Sequence, residues 1–527
     1  MTIMMPAYVG GKDVEPADGR YVHTVTTRAV LEDTFGALRL KRDLDAGVLP
    51  AAAAGSALAG GCALADESLM DQALAAAAEA APEWGRTDLS TRLDVGRRIS
   101  ALLRERRAAI VEILVAEGLP VAVAGGMLDD YWSADFSEET LSFCAGRMHH
   151  ESDDGHRRRI VRRVPDGVVC VNPPQNAATA NALFGMAALL AGNAVVVRVP
   201  RSLPLATTVA LREVVVPALE EAGAPPGTLN IVCSSPMMDR WLASPHVNDI
   251  VFVGGSAKGL DVERAAVAAG KKPILELAGN DCLLVWKDAD LAGAVASISE
   301  NFLLSGQICN VPNVVVAHPD IADELLARLA DAAAAARPGY PDDPGVVLTP
   351  VLMAAAHFDH IRGALERGAT LVHGGRRLEV DGSESDTGLF LEPTILRVDG
   401  LAGARDVPAV RDETFSPLLP VVVPDPGAGD AAMLDDVLAF VDGNAYGLRN
   451  SLWTGDAAVA DRFVERVTDC GVIVVNDSHS AFRPLLPTHG GTGLTGGAAG
   501  EANYLMLRTS RVQGVDLVRP RPNGRTS

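Results

Sequence analysis

A chain of 527 residues, 48% of them apolar, exceeds one ordinary core and can bury ample surface in two or three packed units. Its 46 Lys and Arg stand against 67 Asp and Glu, and the net charge of -21 repels polyanions, which excludes a general nucleic-acid role. The 7 cysteines are scattered, odd in number and without a CxxC pair, which argues against a disulfide or zinc framework and for a reducing compartment.

Taken from the N-terminus, "MTIMMPAYVGGKDVEP" lacks the basic start and apolar core of a secretory signal, so a cytoplasmic location is expected. Residues 46–65, "AGVLPAAAAGSALAGGCALA", carry no charge over about the length of a membrane span. They are mostly Ala and Gly with Pro50 inside, so a surface loop or small-residue packing segment is predicted, and no membrane partner. From 68 to 117 the periodicity is helical, with Pro82 and the stretch 85–88 breaking it into at least two helices. Residues 149–167, "HHESDDGHRRRIVRRVPDG", read as an exposed arm or ribbon, because dense charge leaves only "RRIVRRV" strand-like. His149, His150, Asp153, Asp154 and His156 cluster there, but no second half with zinc-ligand spacing follows, so no metal is expected.

Beyond the arm, β-branched runs alternate with amphipathic stretches. The strands "GVVCVN", "NAVVVRVP", "TLNIVC", "DIVFVGG", "CLLVW" and "NVVVAH" are separated by helices such as 177–190 and 202–222. That order predicts an α/β fold with parallel sheets and crossover helices.

Four stretches carry chemistry. In 168–204, Asn176 opens a helix after a strand and two prolines, where its amide is either an N-cap or a donor to a developing oxyanion. "DIVFVGGSAKG" sets Gly254 and Gly259 between a strand and a helix, a context for phosphate approach or simply a tight turn, without the GxGxxG spacing. In "KKPILELAGNDCLLV", Glu276 ends an apolar strand before a glycine turn, where burial suits a general base. Cys309 lies in "LLSGQICNVPN"; alone it reads as a buried thiol, and as a nucleophile only if backbone donors or a helix start stabilise its thiolate.

Together "FVGGSAKG", "PILELAGND", "SGQICN", "RDETFSPLLPVV" and "GNAYGLRNSLWTGD" resemble, in order, motifs of the aldehyde dehydrogenase superfamily, over about 7–511. The resemblance implies an α/β architecture: a Rossmann-like cofactor-binding domain (1–150 and 168–275), an α/β catalytic domain (276–484) and a small β oligomerisation arm (151–167 and 503–520). It implies that Cys309 attacks an aldehyde, that Glu276 activates the deacylating water, and that Asn176 with the Cys309 N–H holds the oxyanion. Glu413 would hold the nicotinamide ribose with Phe415 beside it, Gly254 and Gly259 would line the pyrophosphate, and Pro174 and Arg198 would also meet the cofactor. A homodimer or homotetramer is implied, with a small-molecule aldehyde as substrate.

Departures from the family pattern leave alternatives open. The "PPQNA" stretch admits Gln175 or Asn176 as the oxyanion donor, the latter resembling the CoA-acylating branch and acyl-thioester reductases, whereas Glu276 favours water over CoA as acyl acceptor. Arg201 stands where a ribose-binding acid often lies, and a guanidinium attracts a 2'-phosphate, so NADP is favoured over NAD. Asn280 and Asp281 replace an "MGK"-like stretch, and 27–64 is a long insertion, either a disordered surface excursion or a partner contact. Ala180 and Ala187 hint at room for a bulky substrate, and Arg483 and His479, in a loop near the entrance, read as solvated surface groups in preference to binders of an acidic group. A catalytically inactive scaffold of the same fold is the remaining alternative.

Overall fold

The structure, a computed structural model, describes residues 2–131, 134–427, 429–498 and 502–519. The β-branched runs form two seven-stranded sheets. In the first, the parallel strands Lys272–Glu276, Asp249–Val253, Val168–Asn172, Ala194–Pro200 and Leu229–Ser234 lie side by side, and the hairpin Ala7–Val9 and Lys12–Val14 closes the edge antiparallel. Helices cover both faces, so strands such as Val168–Asn172 are buried throughout, as parallel sheets require. The chain moves from Val168–Asn172 to one side and then returns to the other through Asp249–Val253. That reversal opens a crevice beyond the carboxyl ends of these two strands, where ligands settle in open α/β sheets.

The second sheet runs Thr370–His373, Thr394–Asp399, Leu418–Val423, Pro312–Ala317, Asp281–Val285, Arg449–Trp453 and Val472–Val475, parallel except for its first strand. Only residues 277–280 separate the last strand of the first sheet from the first strand of the second. The carboxyl edge of one sheet therefore meets the amino edge of the other. Residues 149–165 form an exposed hairpin, Asp153 to Arg157 at its turn, and Ser510–Val518 pairs antiparallel with its second strand. Position 520, the end of the expected arm, and Met1 lie outside the described residues.

Two sequence expectations change here. Residues 27–64 are no disordered excursion: helices Thr27–Glu32 and Thr34–Asp45 and a 3-10 turn lead into Leu58–Ala63, the central strand of a sheet with Ile3–Met5 and Tyr21–Val25. Small residues carry that placement, since a Cβ on Gly60 would stand 2.1 Å from the Ile3 carbonyl oxygen. The segment also ties to the other half, with Arg28 donating to Asp342 at 2.7 Å. Pro82 does not break its helix, which runs Glu67–Trp84; the proline falls in the last turn, and the break is at 85–88 before Leu89–Ala116. Among the described residues no group of His, Cys, Asp and Glu is arranged for a metal, and no helix is long and apolar enough to cross a membrane.

Candidate active site

The Cys309 segment is a turn that the sequence can form only at a conformational cost. Leu304, Ser305 and Gly306 take consecutive positive φ values of 52°, 54° and 68°. For the two that carry a Cβ this costs about 1–3 kcal/mol each, so surrounding contacts must hold them. They do: Leu304 N–H donates to the Val347 carbonyl at 2.8 Å, and the Ser305 hydroxyl donates to Thr349 O at 2.7 Å while accepting from Thr349 N–H at 2.9 Å. Gln307 Nε2 donates to Pro350 O at 3.0 Å, and Asn310 Nδ2 to Ser480 O at 3.1 Å. Gly306 is required, because a Cβ there would lie 2.3 Å from Ser416 O. Gly279 is required for the same reason, its Cβ position being 1.9 Å from the carbonyl oxygen of Cys309. The letters around the cysteine thus specify its backbone.

Cys309 opens onto a cavity of about 230 Å³ at the meeting of the two sheets, which also receives Glu276, Asn176, Glu413, Phe415, Pro174 and Gly254. Burial pushes the Cys309 thiol well above its usual range, the carboxylates of Glu276, Glu413 and Asp281 reinforce this, and the guanidinium of Arg449 opposes it. At rest the sulfur is a thiol, and attack needs a base.

Glu276 ends its strand buried, its Oε2 accepting from Gly490 N–H at 2.9 Å and its carbonyl from Gly254 N–H at 3.0 Å. Asn176 Nδ2 donates to Gln307 O at 2.9 Å; an amide nitrogen carries two protons, so fixing one aims the other. Gln175 is exposed and does not line the cavity. Glu413 Oε1 accepts from Gly279 N–H at 3.1 Å, and burial pushes its carboxyl up to about 8. Phe415 has φ 47° and is 36% exposed at the cavity wall. Asn280 fixes this segment by donating to Val410 O at 3.0 Å and Arg411 O at 3.1 Å.

Asp281, its neighbour, is buried with His479, whose Nε2 is 3.2 Å from Asp281 Oδ2 and whose Nδ1 is 2.6 Å from the Ser451 hydroxyl. His479 is therefore a core group, not a surface one, and burial lowers it to about 3. Arg483 pairs with Asp477 at 2.7 Å. Arg449 spans this region from behind, donating to His479 O, Ala481 O and Thr488 O and stacking its guanidinium 4.7 Å from the Phe482 ring centroid.

The remaining expected cofactor residues lie around the crevice but outside the cavity. Arg198 is buried, with Nε donating to Asn172 Oδ1 at 3.1 Å, and burial lowers its basicity. Arg201 is exposed, its Nη1 donating to Ser235 Oγ at 3.2 Å. Gly259 is buried in the helix Ser256–Ala268; a Cβ there would be 2.0 Å from Leu277 Cδ2, so this glycine serves close helix packing. Gly255 is different, since a Cβ there would meet nothing within 4 Å. Open glycine backbone at a strand-to-helix turn, a free-facing guanidinium and the Glu413 carboxyl together fit a dinucleotide lying along the crevice.

Sequence reasoning missed one wall of the cavity: Asp135, Asn181, Thr488 and His489. Thr488 Oγ1 lies 2.9 Å from Asp135 Oδ1 and 3.0 Å from His489 Nδ1, and His489 Nε2 lies 3.1 Å from Asn181 Oδ1. Burial raises Asp135 to about 7 and lowers His489 to about 3. His489 also stacks on Phe184, ring centroids 3.9 Å apart. Ala180 faces the cavity, whereas Ala187 is core.

Comparison with known proteins finds one family model, described as "Aldehyde dehydrogenase family", matching residues 51–515. A vanillin dehydrogenase of Amycolatopsis sp. is 31% identical over 429 residues, 79% of this chain and 82% of its own length. Two solved structures superpose closely. An NAD-dependent aldehyde dehydrogenase from Sinorhizobium meliloti gives a TM-score of 0.80 at 23% identity, covering 99% of this chain and 97% of its own. An E. coli NADP dependent enzyme gives 0.78 at 23%, covering 98% of each chain.

Proposed function

The chain belongs to the aldehyde dehydrogenase family, and from that premise we propose that it oxidises an aldehyde to a carboxylic acid with NAD(P), through a covalent bond to Cys309. The observation that carries this reading is the convergence of Cys309, Glu276, Asn176 and Glu413 on one cavity from four separate chain segments.

The residues divide the work as follows. Glu276 is the carboxylate acting most strongly on the thiol and takes its proton as Sγ attacks the carbonyl carbon. The second amide proton of Asn176, with the Cys309 N–H, meets the oxygen that gains charge. A bound nicotinamide supplies the hydride acceptor. Having released that proton to solvent, Glu276 draws another from the water that cleaves the resulting thioester and passes it to the departing Sγ, which releases the acid and restores the thiol. Glu276 is buried at the cavity wall, and transfer of the acyl group to CoA would leave it without a use. Glu413 and Phe415 place the nicotinamide side, and Pro174, Gly254 and Arg198 shape the crevice floor. Arg201 favours NADP by offering a guanidinium to a 2'-phosphate.

The finer assignments belong to the same proposal. The domains are the first sheet with its helices for the dinucleotide, the second for catalysis and the hairpin sheet for assembly into a homo-oligomer. Exposed Val161, Val512, Leu517 and Val518 on that sheet support the last. Seven free cysteines support a reducing, cytoplasmic setting.

Reduction of NADP and of NAD, each with an aldehyde panel and with and without CoA, tests the reading against Cys309→Ala. Turnover without CoA that disappears in the variant is expected. Turnover only with CoA would move the reaction to acyl transfer.

A further inference from the structure

The missed wall of the cavity makes a statement about the substrate, one that rests on the reading above. Proton bookkeeping comes first. Thr488 has one hydroxyl proton and stands between two acceptor atoms, Asp135 Oδ1 at 2.9 Å and His489 Nδ1 at 3.0 Å. His489 Nε2 faces Asn181 Oδ1, and Asn181 Nδ2 is committed to Ala177 O at 3.0 Å, so Nε2 must be the donor in that pair. Thr488 Oγ1 donates to Asp135 Oδ1, and a neutral His489, protonated at Nε2, keeps Nδ1 as an acceptor beside Thr488.

With Oδ1 accepting from Thr488, Asp135 Oδ2 is left as an acceptor, and among the described residues no donor meets it. Met127, Ala180, Ile308 and Phe482 give the same cavity apolar and aromatic lining. No Lys or Arg is among the cavity's lining residues, whose ionisable acids are Asp135, Glu276 and Glu413. An aldehyde bearing a carboxylate, sulfonate or phosphate would meet repulsion and no counter-charge. The cavity's 230 Å³ falls below the range of about 300–1,000 Å³ common for drug-sized ligands, so the occupant is small.

We propose that Asp135, backed by Thr488, His489 and Asn181, selects small uncharged aldehydes that carry a hydroxyl group away from the carbonyl, the hydroxyl donating to Asp135 Oδ2. A site built to pair with a hydroxyl penalises the analogue lacking it, because the buried acceptor is then left unpaired.

The test compares kcat/KM for glyceraldehyde with propanal, and for succinic semialdehyde and 3-aminopropanal, in the wild type, Asp135→Leu and Thr488→Val. Binding of the same compounds to Cys309→Ala and to Cys309→Ala/Asp135→Leu, by calorimetry, reads recognition without turnover. The wild type should favour glyceraldehyde over propanal by about tenfold or more. Asp135→Leu should bring that ratio to about one, Thr488→Val should narrow it, and succinic semialdehyde should be the poorest substrate. An unchanged ratio or unchanged binding in Asp135→Leu overturns the proposal, and so does preference for succinic semialdehyde. Preference for 3-aminopropanal also overturns it, since that assigns an ionised Asp135 and a cationic substrate. Absence of all turnover with the binding preference intact would count against the dehydrogenase reading and leave this one standing.

Discussion

Two walls of one cavity were built in different ways. The Cys309 wall is made of short contiguous motifs whose neighbours are dictated by backbone contact: Gly279 and Gly306 because no Cβ fits, Ser305 and Gln307 because they tie down a left-handed turn. The opposite wall gathers Asp135, Asn181, Thr488 and His489 from three distant segments, joined through side chains alone. Backbone demands leave a local signature, and side-chain networks assembled by the fold leave none. On the proposals above, chemistry falls to the first wall and selection to the second, so substitutions on each should damage different quantities.

The largest effect should come from Cys309→Ala, which should lower turnover by at least about 10³-fold for every aldehyde, with the thermal midpoint and dinucleotide binding retained; spectrophotometric assays beside titration of cofactor check this. Next is Asn176→Ala, expected to lower kcat by about 10²-fold while Gln175→Ala stays near wild type, which separates the two oxyanion candidates. If Gln175 carried the larger loss, the chemical wall would have to be redrawn. Arg201→Glu should shift the ratio of kcat/KM for NADP over NAD by about tenfold toward NAD, leaving kcat with saturating NAD nearly unchanged.

The smallest effect is on stability. Glu413 is raised by burial from 4.5 to about 8, so between those values the folded chain holds a proton that the unfolded chain has released, and stability falls as pH rises through that window. Glu413→Gln removes this contribution. Its Tm relative to wild type should improve on going from pH 5 to pH 8.5, by an amount on the order of 1–2 °C in calorimetric scans.

The sequence made the layered α/β organisation readable because fully buried parallel strands leave runs such as "AVVVRVP" and "DIVFV". Cys309, Glu276, Asn176 and Glu413, which the fold brings to one cavity, stood out in the sequence because they lie in short contiguous motifs. Gly259 was misleading: a glycine needed for packing on Leu277 looks the same in sequence as one needed for phosphate. Residues 27–64 looked loose because small residues signal flexibility and tight strand packing alike, and only the 2.1 Å approach at Gly60 decides between them. Asp135 was lost in an acid-rich stretch, and Thr488 and His489 in a glycine-rich loop, where composition points to solvent. His479 was taken for a surface group because its partner Asp281 lies 198 positions away in the chain.

The central claim is that Cys309 carries the acyl group and Glu276 admits the water that removes it. Glu276→Gln, mixed with an aldehyde and NADP and analysed by intact mass and peptide mapping, tests both halves at once. The account predicts loss of steady turnover and, at alkaline pH where the thiol ionises without Glu276, an acyl adduct on the peptide containing Cys309, formed with one equivalent of reduced cofactor and cleared slowly. An unmodified Cys309 under those conditions, or turnover of Glu276→Gln at the wild-type rate, would contradict it.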